Sequence, residues 1–292
     1  MIDKEILDKT FKQITEENRN ALATGFQDLD ILLSGVEKGN LITIGARPAM
    51  GKTAFILSIM SNLLKQNKKC LLFSLEMSTS QIIKRLIAIL GEIGLITMNH
   101  NKLLDDSQKS KIEYILTAIS YLNLTICDDI YTIEGIRNKI AEERPEYVFI
   151  DYLQLMETPR KKQRSEAITN IMLDLKQIAK ENNCIIFISS QLSRALESRC
   201  DKRPMLSDLR ESGDIENISD VVLLIYRDEY YKACVDDEDY ALNKGKAEII
   251  VAKNKMGATA IIELLFRSPI AKFLEPIQYL SLIHISEPTR HA

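Results

Sequence analysis

Gly51, Lys52 and Thr53 follow one another at the end of the segment "LITIGARPAMGKT". A lysine can bind phosphate, a threonine hydroxyl can bind Mg²⁺, and a glycine lets the backbone approach an oxygen closely. The order matches the end of a phosphate-binding loop, whose usual pattern is G-x-x-x-x-G-K-[ST]. The first position departs from this pattern, because Ala46 stands there and Gly45 lies one residue earlier. Alanine suits this position if its φ angle is negative.

The residues around this loop support a nucleotide site. An apolar run that suits a strand precedes the loop (41–46), and a helix-forming run follows it (52–66). Backbone N–H groups at the start of such a helix point at a bound phosphate, and Lys52 would reach the β- and γ-phosphates. A chance strand-to-helix turn is the alternative, which the strand–loop–helix order disfavours. The predicted nucleotide-binding residues are Ala46, Arg47, Pro48, Ala49, Met50, Gly51, Lys52, Thr53 and Ala54.

An aspartate at the end of another apolar run supplies an acidic partner for the loop. Asp151 closes "YVFID", which matches the Walker B pattern of nucleotide-hydrolysing proteins. In that pattern the carboxylate holds Mg²⁺ through water, and the Thr53 hydroxyl is a further ligand. An aspartate at a strand end also occurs as a cap for the next element. With the loop upstream, we predict ATP and Mg²⁺ as ligands, with Thr53 and Asp151 at the metal.

Hydrolysis also needs a group that activates or orients water, and two polar residues end apolar runs. Glu76 in "LFSLEMS" follows the second run, and Gln191 in "ISSQLSR" follows the run after Asp151. The carboxyl ends of strands border the ligand crevice of an open parallel sheet. We therefore predict Glu76 as the general base and Gln191 as a γ-phosphate sensor. Their alternative roles are a helix cap near Ser78 for Glu76 and a surface amide for Gln191.

An alternation of strands and helices must position these residues. Near-continuous apolar runs are typical of strands buried on both faces of a parallel sheet. They lie at 41–46, 70–75, 147–151, 184–189 and 221–226. Helical patterns lie at 52–66, 78–91, 107–121, 133–143 and 164–182. The segment 247–266 indicates a β-hairpin with a Gly-containing turn. This order predicts an α/β domain whose mostly parallel central sheet is flanked by helices.

Composition limits the class of protein. The 292 residues carry a net charge of −3, with 46% hydrophobic and 27% charged residues. Such values are ordinary for a globular chain, so a nucleic-acid site must be a local patch. Five scattered cysteines without a C-x-x-C pair argue against a zinc site and fit free thiols in the cytoplasm. The sequence shows neither an apolar run of membrane-spanning length nor a signal-peptide pattern, so we expect no membrane partner.

The two ends differ from the domain, which we predict to span 24–279. Residues 1–23 carry apolar residues at helical spacing, Phe11 among them. They indicate an amphipathic helix that packs on its own domain or, as a linker, on a neighbouring subunit. Residues 280–292, "LSLIHISEPTRHA", match the translation of a sequencing adaptor. We interpret them as an artefact of sequence assembly rather than a native tail.

These motifs resemble those of the C-terminal motor domain of DnaB-type replicative DNA helicases, a RecA-like P-loop NTPase fold. The resemblance covers Thr24 to about Phe273 and rests on "TGFQDLD", "ARPAMGKT", "FSLEMS", "VFIDYLQLM", "SSQLSR", "DLRESGDIENISDVV" and "AEIIVAKNKMG", in that order. Alanine at the first loop position is usual in this family. The resemblance implies 5′–3′ translocation on single-stranded DNA and duplex unwinding by a hexameric ring. It also implies that Arg85 binds phosphate, and that primase and a helicase loader are partners.

Two departures from the family bear on activity. The family's K-x-R-x-G segment, which serves the γ-phosphate of a neighbouring subunit, here consists of Lys253, Asn254, Lys255, Met256 and Gly257. Lys255 thus stands where an arginine finger is expected. Lysine is a mobile point charge without the planar fork of arginine, which predicts reduced rather than absent hydrolysis. The family's N-terminal domain also does not appear, so we expect a fragment or a short motor.

Two basic segments are the predicted contacts with single-stranded DNA. The resemblance implies that Arg210, Glu211 and Gly213 of "LRESG" are positions that contact the phosphate backbone of the DNA. The run "PRKKQRSE" supplies weaker candidates, because such a charge run is usually a solvated loop. These candidates are Arg160, Lys161, Lys162 and Arg164. Neither segment has interleaved aromatic residues, so we expect sequence-independent binding of the phosphate backbone.

Two other functions stay open from the sequence. One is a RecA-like ATPase of recombination or repair, against which "SLEMS" and "DLRESG" argue. The other is a non-catalytic, nucleotide-dependent loading or assembly factor, which the replacement at Lys255 favours. Steady-state ATP hydrolysis with and without single-stranded DNA separates a motor from such a factor.

Overall fold

The computed structural model describes most of the chain between its two ends. The described residues are 23–34, 36–158, 163–209, 213–232 and 244–276, together with Phe11. The predicted N-terminal helix lies almost entirely outside them, as does the segment 280–292. The DNA-contact candidates Arg160, Lys161, Lys162, Arg210 and Glu211 also lie outside the described residues.

A mixed sheet of nine strands runs through the described part of the chain, in the order β3-β2-β4-β5-β1-β6-β7-β8-β9. The strands are Leu41–Ala46 (β1), Cys70–Ser74 (β2), Leu124–Cys127 (β3), Tyr147–Asp151 (β4), Ile185–Gln191 (β5), Val221–Tyr226 (β6), Lys246–Asn254 (β7), Ala260–Arg267 (β8) and Lys272–Leu274 (β9). The strands β1 to β6 pair in parallel, and β7, β8 and β9 add antiparallel pairs at one side.

The sequence pattern predicts most of this sheet. All five apolar runs and the hairpin form strands, which confirms the predicted α/β fold with a mostly parallel sheet. The strand β5 continues to Gln191, beyond its predicted end. Two strands, β3 and β9, were not predicted. They have only four and three residues, and β3 is half exposed at the sheet margin, so neither shows a long apolar run.

Helices cover both faces of the sheet. In the described residues they are Gln27–Leu32 (α1), Lys52–Lys65 (α2), Thr79–Gly91 (α3), Leu95–Asn99 (α4), Asp106–Ser120 (α5), Ile133–Glu143 (α6), Arg164–Glu181 (α7), Gly213–Ile218 (α8) and Asp228–Lys232 (α9). Side-chain oxygens of Ser78, Asp105 and Thr132 cap α3, α5 and α6, as expected for helix starts. No helix in the described ranges has the length and apolar character needed to cross a membrane.

Alternate residues of each central strand enter two separate apolar cores. In β4, Phe149 packs in the core beneath α2 and α3, while Val148 and Ile150 pack against α6 and α7. The Phe149 and Phe187 rings stack with their centres 4.9 Å apart. Burial on both faces explains why these strands are continuous apolar runs in the sequence. Packing on both faces also holds the ends of the strands in place, and with them the residues that follow each strand.

Asp220 links three elements at the amino ends of β1 and β6. Its Oδ2 accepts a hydrogen bond from the Leu41 N–H at 2.8 Å and another from Lys176 Nζ of α7. Its Oδ1 lies 3.2 Å from Lys255 Nζ. Burial tends to raise the pKa of the Asp220 carboxyl, but hydrogen bonds from Lys176, the Leu41 N–H and Lys255 outweigh burial and hold this pKa below its ordinary value. This edge of the sheet is thereby tied to α7 and to the turn after β7.

Replacing this carboxylate tests how much it stabilises the fold. Asp220→Asn leaves Lys176, whose side chain is only 17% exposed, without its charged partner. We expect the free energy of unfolding at pH 7 to fall by about 2–4 kcal/mol in chemical denaturation. Asp201→Asn removes an exposed ion pair with Arg203 and should change this free energy by less than about 0.5 kcal/mol.

The same pair of variants has a pH signature. Because the pKa of Asp220 is lowered in the folded chain, the wild-type advantage over Asp220→Asn is fully present above about pH 5 and is lost as the pH falls through the lowered pKa. No difference in stability at pH 7, or a difference that grows on acidification, would contradict this role.

Candidate functional site

The carboxyl ends of β1, β2, β4 and β5 border a cavity of about 530 Å³. A cavity of this volume takes a ligand of nucleotide size. The predicted site residues in its wall are Arg47, Pro48, Ala49, Gly51, Lys52, Thr53, Ala54, Glu76, Arg85 and Gln191. The wall also contains Met77, Gln81, Tyr152, Phe266 and Ala271.

The loop between β1 and α2 turns through two residues with positive φ angles. Ala49 has a φ of 64° and Gly51 a φ of 101°, in the left-handed region that glycine adopts without strain. A Cβ atom on Gly51 would also lie 3.2 Å from the Phe273 ring, so a side chain here would press against that ring. The helix α2 begins at the next residue, Lys52, and its first backbone N–H groups therefore point toward the cavity.

Two predicted loop residues do not line the cavity. Ala46 is the fully buried last residue of β1, and the Met50 side chain packs in the apolar core beneath α2. Ala46 is not among the residues with positive φ, which meets the condition for alanine at the first position of the loop. Its backbone pairs with Gln191 across β1 and β5. These two residues therefore shape the loop through backbone and core contacts.

Lys52 carries a charge that is partly removed from water. Its Nζ lies 4.7 Å from the centre of the Tyr152 ring, a cation–π contact. Burial lowers the pKa of Lys52, the carboxylates of Asp151 and Glu76 oppose this shift, and the nearby Arg47 charge adds to it. An ammonium in this setting, beside the N–H groups of the loop, attracts an anion such as phosphate.

Asp151 and Thr53 bring oxygen atoms together beside the loop. Thr53 Oγ1 donates a hydrogen bond to Asp151 Oδ2 at 2.5 Å. Ser189 Oγ of β5 donates to the other carboxylate oxygen of Asp151, also at 2.5 Å. The neighbouring strand thus fixes the orientation of the carboxylate. Hydroxyl and carboxylate oxygens are the ligands that Mg²⁺ prefers, so the pair fits the predicted metal site.

Glu76 and Gln191 reach the cavity from different strands. Glu76 is exposed just after β2, and Gln191 is the last residue of β5. The α3 cap is Ser78, whose Oγ accepts from the Gln81 N–H, so capping is not the role of Glu76. Arg85, on α3, lies in the same wall. The structure therefore brings the predicted base, sensor and phosphate-binding arginine to one cavity.

Sequence reasoning missed several residues of this site. Gln154 Oε1 accepts a hydrogen bond from the Gln191 N–H at 3.2 Å, and its Nε2 donates to Ser190 Oγ at 2.9 Å, so Gln154 orients the end of β5. Tyr152 and Gln154 closely follow Asp151, and their position after a strand end was a signal that could have identified them. Nothing in the sequence near the loop points to Phe266 or Ala271, which arrive from β8 and the turn after it.

Lys253 and Lys255 do not line the cavity. Lys253 Nζ donates to the Asn217 carbonyl oxygen of α8 at 3.1 Å, and Lys255 Nζ pairs with Asp220. The Lys255 N–H also bonds the Asp220 carbonyl oxygen, and the Asp220 N–H bonds the Leu41 carbonyl oxygen. Both lysines therefore lie near the first residue of β1, whereas the phosphate-binding loop follows its last residue.

The DNA-contact candidates within the described residues lie at helix starts. Arg164 is the first residue of α7, and its Nη2 donates a hydrogen bond to the Gln154 carbonyl oxygen at 3.2 Å. Gly213 is the first residue of α8. Arg164 is thus connected through Gln154 to the end of β5, where Gln191 enters the cavity.

Comparison with known proteins gives a consistent result. The family model described as "DnaB-like helicase C terminal domain" matches residues 21–275. The Helicobacter pylori protein named "Replicative DNA helicase DnaB" is 34% identical over 311 residues, which cover 92% of this chain and 64% of that protein. The chain thus spans less than two thirds of the length of the curated relatives it matches.

Solved structures share the fold. The structure of an isolated ATPase domain superposes with a TM-score of 0.86 at 33% identity, over 94% of this chain and 99% of that one. The structure described as "The Structure Of A DnaB-Like Replicative Helicase And Its Interactions With Primase" superposes with a TM-score of 0.84 at 33% identity, over 94% of this chain and 67% of that one.

The lowered pKa of Lys52 predicts how anion binding depends on pH. The charged ammonium attracts phosphate, so affinity for ADP should fall as the pH rises through the pKa of Lys52, which lies below the ordinary value for lysine, about 10.4. Calorimetric titration between pH 7 and 10 measures this fall. Lys52→Arg is the matched control, because a guanidinium stays charged over the whole range and its affinity should vary little. Parallel pH profiles in the two proteins would show that another group controls binding.

Proposed function

Because this chain belongs to the DnaB-like helicase family, as its motifs predict, we propose that it hydrolyses ATP to move 5′ to 3′ along single-stranded DNA. Working as a hexameric ring, it would separate duplex DNA during replication. One observation carries this proposal. Lys52, Thr53 and Glu76 line one cavity, with the buried Asp151 bonded to Thr53 beside it, whereas the predicted trans-acting Lys255 lies at the opposite edge of the sheet.

The cavity residues suit phosphoryl transfer to water. Backbone N–H groups at the start of α2 and the Lys52 ammonium bind the β- and γ-phosphates, where negative charge increases in the transition state. Glu76, exposed at the cavity, accepts the proton of the attacking water. Gln191 orients this water or the γ-phosphate, and Gln154 holds the end of β5 that carries it. Mg²⁺, held by Thr53 and through water by Asp151, would neutralise phosphate charge.

The distance across the sheet supports completion of this site by a second copy. The strand β1 has six residues, from Leu41 at one edge to Ala46 at the other. At about 3.3 Å per residue, the two edges are about 17 Å apart. A lysine side chain next to Leu41 cannot cover this distance, so Lys253 and Lys255 would act on the nucleotide of a neighbouring chain. Arrangement of every copy in the same head-to-tail way generates a closed ring when the rotation between neighbouring copies closes.

The DNA would bind near the segments that follow β4 and β5. Arg164 lies beside Gln154 at that edge of the sheet, and Gly213 begins α8. Together with Arg210 and Glu211 they would contact the phosphate backbone without reading bases. Binding of ATP at the same edge would then influence how these segments hold DNA.

Partners and compartment are also part of the proposal. A primase and a helicase loader are expected from the family, and one structural relative is described with its interactions with primase. The cysteines in the described ranges, Cys70, Cys127, Cys184 and Cys200, are unpaired, which supports a reducing cytoplasm.

The rates of ATP hydrolysis by the wild type and by Glu76→Gln test the proposed function against its alternatives. We expect the wild-type rate of ATP hydrolysis to rise with single-stranded DNA, and kcat of Glu76→Gln to fall about 100-fold or more, because the amide cannot take a proton from water. Glu113→Gln is the control, since it makes the same change on the exposed surface of α5 and should keep the wild-type rate. The assay is steady-state phosphate release with and without DNA.

Each other outcome has a meaning. A wild-type rate that does not respond to DNA would contradict a motor that works on single-stranded DNA. Nucleotide binding without any hydrolysis favours a loading or assembly factor. Full activity of Glu76→Gln would show that another group is the base.

A further inference from the structure

Arg47, in the phosphate-binding loop, directs its side chain away from the loop and toward the segment after β5. Its Nη1 donates to the Leu192 carbonyl oxygen at 2.9 Å. Its Nε and Nη2 donate to Glu197 Oε1 at 2.9 and 2.7 Å. Only 7% of Arg47 is exposed, yet it also lines the cavity. A second link runs parallel to these bonds, because the Leu192 N–H donates to the Ala46 carbonyl oxygen at 3.1 Å.

The segment that Arg47 holds is a compact unit. Residues 192 and 209 form an antiparallel bridge, and the Ser193 N–H donates to the Asp208 carbonyl oxygen at 2.8 Å. Arg199 pairs with the buried Asp208 carboxylate at 2.7 Å. The unit follows Gln191 directly, and the predicted DNA contact Arg210 comes directly after it. We call residues 192–209 the β5 turn unit.

The Arg47–Glu197 bond is the contact in this unit that a bound nucleotide would disturb. Arg47 and Lys52 line the same cavity. Phosphates bound at Lys52 therefore bring negative charge into the cavity whose wall includes Arg47. Guanidinium binds phosphate and carboxylate with the same planar fork. The Glu197 side chain is 46% exposed, so water can solvate its carboxylate as soon as Arg47 leaves.

We propose that Arg47 is a positioning residue that couples the nucleotide site to the β5 turn unit: without nucleotide it holds Glu197, and a bound triphosphate draws the guanidinium away and loosens the turn at 193–199. This coupling rests on the proposed nucleotide site. It gives the turn two arrangements, each selected by the occupancy of the loop.

A spin label within the turn measures this coupling. Cys200 is exposed and lies three residues after Glu197, whereas Cys70, Cys127 and Cys184 are buried. The full chain carrying Cys234→Ser is labelled at Cys200. Its paramagnetic resonance spectrum is recorded without nucleotide, with ADP, and with a non-hydrolysable ATP analogue and Mg²⁺. Calorimetry on the same samples measures nucleotide binding.

Two variants in the same unit distinguish the effect of the Arg47–Glu197 bond from the effect of removing any negative charge from the turn. Glu197→Gln removes the carboxylate that holds Arg47, so its label should already be mobile without nucleotide and should lose the response to the analogue. Asp201→Asn makes the same change four residues later, where the partner is Arg203, and should respond like the wild type. In the wild type the analogue should make the label more mobile.

Each contrary result has its own consequence. Nucleotide binding with an unchanged wild-type spectrum would overturn the coupling while leaving the nucleotide site intact. The same response in Glu197→Gln as in the wild type would also overturn it. Absence of nucleotide binding in calorimetry would overturn the proposed function, and the coupling with it.

Discussion

The common direction of the six parallel strands determines where the residues that follow each strand lie. Because β1, β2, β4 and β5 end at one edge, Lys52, Glu76, Asp151 and Gln191 meet there although they are far apart in sequence. The same direction places the starts of β1 and β6 at the opposite edge. The antiparallel strand β7 returns to that edge and delivers Lys255 there. One chain thus presents the candidate nucleotide cavity at one edge and the predicted trans-acting lysine at the other.

Lys52, Arg47 and Lys255 share a physical feature, which is that each has a partner within the chain. The Lys52 ammonium lies over the Tyr152 ring. The Arg47 guanidinium bonds Glu197, and Lys255 Nζ lies 3.2 Å from Asp220. Desolvated charges are costly unless they are paired, so these contacts stabilise the chain before any phosphate is bound. In the proposed function a phosphate would join or replace these partners, which would link binding to movement of the elements that supply them.

The sequence predicts the framework of the site better than its supporting contacts. The five apolar runs and the loop at Gly51 can be read from the sequence because each depends only on residues that are neighbours in the chain. The family resemblance, which rests on such local motifs, is confirmed. The contact of Arg47 with Glu197 joins residues 150 positions apart. Nothing local in the sequence distinguishes an arginine that binds phosphate from one that binds a carboxylate across the fold. The position of Lys255 beside Asp220 likewise depends on the return of β7, which only the register of the sheet determines.

Mixing two inactive variants tests whether the nucleotide site is divided between two copies of the chain. Lys52→Ala lacks the pocket charge, and Lys255→Ala lacks the residue proposed to act in trans. Each alone should lack DNA-stimulated ATP hydrolysis. In a mixture of equal amounts, about one quarter of randomly formed interfaces join an intact pocket to an intact Lys255, so about one quarter of the wild-type rate should return. No recovery in mixed assemblies, or full activity of Lys255→Ala alone, would contradict a site shared between copies.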